Sequence, residues 1–60
     1  MMTILAKKMM LTPTQAVALP AVITKCAEVG GLHENQFVMR ALGDAAIREF
    51  VRQLCLSVSD

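Results

Sequence analysis

The sequence has no tryptophan, no tyrosine and two phenylalanines, Phe37 and Phe50. Proteins that read unpaired bases stack them on aromatic side chains, so single-stranded nucleic acid suits this chain poorly. There is one histidine, His33, and there are two cysteines, Cys26 and Cys55, in no Cys-x-x-Cys or Cys-x-x-His pattern. That spacing argues against a zinc site. The acids are scattered and form no pair of carboxylates able to divide acid and base roles. Gly30-Gly31 is not followed by a phosphate-loop pattern, so it reads as a turn. We therefore expect a non-enzymatic protein with no cofactor and no metal. A long apolar run is missing as well. The longest uncharged stretch, residues 9–24, holds Pro13, Pro20, three threonines and a glutamine, and is too short to span a bilayer. Lys7 and Lys8 before an apolar run are a faint echo of a signal peptide, but Lys25 ahead of Cys26 breaks a lipoprotein pattern. The expectation is no membrane association and a cytoplasmic location.

What the chain does have is apolar residues, 55% of its 60 positions. So short a chain buries a small share of its surface by itself. Together these predict that apolar surface is covered by a second copy, in a homodimer. The net charge of +1 is low for a nucleic-acid binder. It is also uneven. Lys7, Lys8 and Lys25 face only Glu28 in the first half, whereas three arginines meet four acids from Leu32 on. An anion-binding face would belong to the first half.

The fold class read from these patterns is mostly α, as a hairpin of two main helices in a single small domain. The second helix, about 33–56, is the clearer one. Phe37, Val38, Ala41, Leu42, Ala45, Ala46, Phe50 and Leu54 recur at helical spacing. Arg40, Asp44, Arg48 and Arg52 form a stripe that reads as a solvated face, with an Asp44–Arg48 ion pair. Gly43 inside this helix is either a tolerated weakness or a close helix crossing. The first helix, about 13–29, opens at Thr12-Pro13-Thr14-Gln15, a capping box with proline at the first helical position. Pro20 predicts a kink or a restart near Leu19. Gly30-Gly31 closes it, and His33 with Gln36 caps the next helix. Residues 57–60 read as a polar tail. Before Leu11 the chain reads equally as strand, helix or frayed tail, since Thr3-Ile4-Leu5 favours one and Leu5-Ala6-Lys7-Lys8-Met9 the other. The methionines read as core filler or part of a loose terminus. In such a hairpin Cys55 lies some 30 Å along the second helix, out of reach of Cys26, so both are expected as free thiols.

Gly31-Leu32-His33-Glu34-Asn35, Ala41-Leu42 and Cys26-Ala27-Glu28 resemble the second half of ribbon-helix-helix repressors. The resemblance implies a short N-terminal strand pairing across an intertwined homodimer and entering the major groove of double-stranded DNA. Lys7 and Lys8 would be DNA contacts, and Leu32, His33, Glu34 and Asn35 a phosphate clamp at a helix start. The sequence departs from that family at His33 and at Pro20, and the strand does not alternate. The dimer interface would take Phe37, Leu42, Ala46, Phe50 and Leu54. Two functions follow: a dimeric transcriptional regulator of this type or, alternatively, a helical module that binds a protein partner or self-associates.

Overall fold

The computed structural model describes residues 2–59, the side chain of Ser59 aside; Met1 and Asp60, the end of the expected tail, lie outside them. Five helices follow one another: α1 (Met2–Lys8), α2 (Pro13–Val17), α3 (Leu19–Gly30), α4 (Glu34–Gly43) and α5 (Ala45–Ser59). Among the described residues there is no strand. The two-helix hairpin is thus corrected to a five-helix bundle, and the segment open between strand and helix is helical.

The start of the chain folds as helix because Leu5 and Met9 sit one turn apart and both bury in the core. Lys7 and Lys8 occupy the last turn of α1, where cations suit the helix dipole. Its end is a left-handed cap: Met10 stands at φ 56° and the Leu11 N–H donates to the Ala6 carbonyl at 3.1 Å.

Thr12 then caps α2 as expected. Its hydroxyl accepts from the Gln15 N–H at 3.2 Å, and the Gln15 side chain accepts from the Thr12 N–H at 2.9 Å. Pro20 produces a full restart. α2 stops at Val17, and α3 begins at Leu19 with proline in its first turn, where the missing N–H costs no helical bond. Gly31 ends α3 at φ 69°, with the Leu32 N–H on the Ala27 carbonyl at 2.9 Å.

The second expected helix is also two. Asp44 is extended, at φ −138° and ψ 111°, and its carboxylate accepts from the N–H groups of Ala46 and Ile47 at 2.9 and 3.3 Å. It is the N-cap of α5. The Arg48 guanidinium donates back to the Ala41 and Leu42 carbonyls at 3.0 and 2.7 Å, satisfying the end of α4. The Asp44–Arg48 stripe therefore works on backbone groups at a corner. Gly43 marks no close crossing, because a Cβ there would meet nothing within 4 Å. α5 continues to Ser59, through residues expected to be tail.

Because α5 turns back at Asp44, it packs on α3, α4 and α2. The core is Leu5 and Met9, then Leu19, Val22, Ile23 and Ala27 of α3, Val38 and Ala41 of α4, and Val51 and Cys55 of α5. Among the described residues no polar side chain is buried with them. One chain closes this core. Its surface of 3995 Å² is near the roughly 3,800 Å² of a folded monomer of this mass. The intertwined homodimer is corrected at its paired strand, which is a helix.

Candidate binding groove

Two stripes of side chains, each with a four-residue repeat, face one another across α3 and α5. On α5 they are Ala46, Phe50, Leu54 and Val58. On α3 they are Ala21, Lys25 and Val29, with Val22, Cys26 and Gly30 beside them. Between them lies an open cleft of about 500 Å³, lined by Lys25, Cys26, Val29, Gly30, Phe37, Ala46, Ile47, Phe50 and Leu54. A second cleft of about 230 Å³ shares Lys25, Cys26 and Leu54 with the first and adds Ala21, Val22 and Val58. The two make one groove.

The geometry of α5 explains why this groove stays open. Successive residues on a helix are turned by about 100°. Val51 and Cys55 point into the core and are fully buried, which leaves Phe50 and Leu54 on the neighbouring flank. Phe50 keeps 60% of its surface exposed, Val29 79% and Val58 65%. A monomer normally scatters such residues singly, and here three of them border one concavity. Among the described residues Lys25 is the only charged one in the lining. Its ammonium is 4.0 Å from the Glu28 carboxylate, and both side chains are exposed, so this ion pair is weak.

Of the residues expected at an apolar interface, the structure brings Phe37, Ala46, Phe50 and Leu54 together in this groove. Leu42 lies elsewhere, half-buried against the core. Val29, Ile47 and Val58 carry no signal of their own in the sequence, and Lys25 stands out there only as one of the lysines of the more basic first half. Val58 follows Phe50 and Leu54 at the same four-residue spacing, a signal lost when the helix was ended at residue 56.

The residues expected to touch DNA lie on α1 and at the start of α4, and some of them line two different clefts. Lys7 and Lys8 are exposed at the end of α1, and Lys8 borders a small cleft with Met9, Met10, Ala45, Arg48, Glu49 and Arg52. Leu32 and Asn35 line a different cleft with Gln36, Met39 and Arg40. His33 precedes α4, its N–H donating to the Gln36 side chain at 3.1 Å. The start of α4 carries Glu34, whose carboxylate lies 3.0 Å from the Thr24 hydroxyl. Without the N-terminal strand there is no ribbon to enter a groove of DNA. The ribbon-helix-helix resemblance, the reading as a DNA-binding repressor and the DNA partner are all corrected by that one change.

Cys26 and Cys55 are both free, but they are not 30 Å apart. Cys26 packs against the core cluster that contains Cys55. Burial pushes both thiols up, and Cys26 pushes Cys55 further. Thiols raised in this way are mostly protonated near neutral pH and are poor nucleophiles. Among the described residues no three His, Cys, Asp or Glu side chains cluster to hold a metal ion, and no helix is long and apolar enough to cross a membrane.

No protein-family model matches this chain, and neither does any curated protein or solved structure.

Proposed function

We propose that this protein is a small, non-enzymatic helical interaction module that binds a protein partner in the groove between α3 and α5. The observation that carries the reading is the alignment of the Ala46–Phe50–Leu54–Val58 stripe with the α3 flank around Cys26 and Val29. It forms an apolar concavity on a chain whose core is already closed. A buried aromatic anchor surrounded by aliphatic contacts is how protein interfaces concentrate their affinity. Phe50 at the lip and Cys26 on the floor suit that arrangement.

The experiment is a comparative capture from source-cell extract with immobilised native chain, Phe50→Asp and Met39→Asp. Met39 is exposed on α4 and outside the groove, so it controls for the loss of an apolar surface residue. Proteins retained by the native chain and by Met39→Asp should be lost from Phe50→Asp. Equal retention by Phe50→Asp would overturn the assignment.

A further inference from the structure

We infer that the occupant of this groove is one amphipathic α-helix of about three turns, with apolar side chains at i, i+4 and i+8 and a carboxylate beside them that meets Lys25. The inference rests on the groove being the binding surface, and adds the shape and charge of what binds.

Length comes first. Ala21 to Gly30 on α3 spans about 14 Å and Ala46 to Val58 on α5 about 18 Å, at 1.5 Å per residue. That seats nine to twelve helical residues. Both walls are rows of side chains four apart, and such rows accept the four-residue ridge of another helix. The other common ways of holding a peptide fit less well. Strand addition draws its affinity from a free sheet edge, and no strand exists among the described residues. Proline-rich segments dock on aromatic-lined grooves, and this lining has Phe37 and Phe50 alone as aromatics. A small apolar ligand is held by enclosure of most of its surface, whereas this cleft is open along its length.

Charge comes second. Lys25 lies on the seam shared by both clefts and is the only charged lining residue among the described residues. Its contact with Glu28 is long and solvated, so a carboxylate arriving on a partner helix can replace it at little cost. An acidic residue flanking the apolar stripe therefore gains, and a basic one is repelled.

The test uses the full chain and four synthetic 14-residue peptides. Three share one apolar i, i+4, i+8 stripe and differ at a single flanking position: Glu, Gln or Lys. The fourth is the Glu peptide with a central proline. Binding is read by calorimetry and by protection of the Cys26 thiol from alkylation. We expect the Glu peptide to bind about two- to fivefold more tightly than the Gln peptide, with the Lys peptide weaker again and the proline peptide not bound. Lys25→Gln should erase the Glu preference, and Phe50→Asp, checked for helicity by circular dichroism, should weaken all binding by on the order of 30-fold. Equal affinity for the Glu and Lys peptides overturns the charge assignment. Binding of the proline peptide as tightly as the Glu peptide overturns the helix. Protection of Cys26 by decanoate and by none of the peptides makes the occupant an acyl chain. A concentration-dependent dimer abolished by Phe50→Asp, with no peptide bound, makes it a second copy. If no probe binds and Phe50→Asp leaves capture unchanged, the groove reading itself falls.

Discussion

The ends of α1 and α3 are built alike from unlike residues. At each, the helix closes with a residue in the left-handed region followed by a half-buried leucine: Met10-Leu11 after α1, Gly31-Leu32 after α3. The hydrogen bonds match. Met10 and Gly31 donate to Lys7 and Glu28 carbonyls at 3.0 and 3.2 Å, and Leu11 and Leu32 to Ala6 and Ala27 carbonyls at 3.1 and 2.9 Å. This is the same cap twice. Glycine adopts its φ without strain, whereas a side chain with a Cβ pays roughly 1–2 kcal/mol. The difference teaches that the leucine contact and the closing bonds can hold a cap against an unsuitable residue when the helix is anchored elsewhere, as α1 is through Leu5 and Met9.

The largest effect should come from making the good cap bad. Gly31→Met would give α3 the residue that α1 already tolerates. It should lose about 1–1.5 kcal/mol net of the unfolded-chain contribution, seen in thermal unfolding as a fall of roughly 8–12 °C for a domain this small. A Cβ at position 31 meets nothing within 4 Å, so the folded state loses by backbone strain alone, of up to about 2 kcal/mol, and the stiffer unfolded chain offsets about 0.5–1 kcal/mol of it. An unchanged melting temperature would show that the left-handed φ is not what fixes this turn.

The same comparison explains what could be read in advance. Caps written in preferred residues were legible: Thr12 with Gln15, and Gly31. Pro20 marked a break, but whether as a kink in one helix or a restart stayed open. The cap at Met10 was not, because methionine carries no turn signal, and so the segment before it stayed open between strand and helix. That ambiguity admitted the ribbon-helix-helix reading. Gly43-Asp44 failed differently. Asp44 ahead of Ala45-Ala46-Ile47 has the chemistry of an N-cap, but the apolar spacing runs on in phase through it. Periodicity sees a stripe, not a corner. Missing that corner kept α5 away from α3. So Phe37, Ala46, Phe50 and Leu54 were legible as an apolar set, while Lys25, Cys26 and Val29, which complete the groove, were not.

A middle-sized effect belongs to that third junction. Asp44→Ala removes the acceptor of the Ala46 and Ile47 N–H groups and should cost about 1 kcal/mol. Asp44→Asn, which keeps an acceptor oxygen, should recover most of it. Because the corner sets α5 against α3, the Ala variant should also speed alkylation of Cys26 and Cys55 more than its stability loss alone accounts for. Alkylation that follows global stability in both variants would mean that packing, not the cap, holds the corner.

The smallest effect should come from making the bad cap good. Met10→Gly relieves the left-handed strain, worth up to about 1–2 kcal/mol. Glycine is also the freer residue in the unfolded chain, which returns about 0.5–1 kcal/mol. Met10 is 87% exposed, so its side chain gives up little packing. The net expectation is a gain of about half a kcal/mol, a rise of a few degrees in melting temperature. Placed beside Gly31→Met, the variant separates two reasons for the tolerance at α1. A gain means the strain is present and is carried by the burial of Leu5 and Met9. A loss means the Met10 side chain contributes at the cleft it shares with Lys8 and Arg48, and that contribution exceeds the strain. The doubly exchanged chain, Met10→Gly with Gly31→Met, should then lose about half a kcal/mol less than Gly31→Met alone, if the two caps act independently and their effects add.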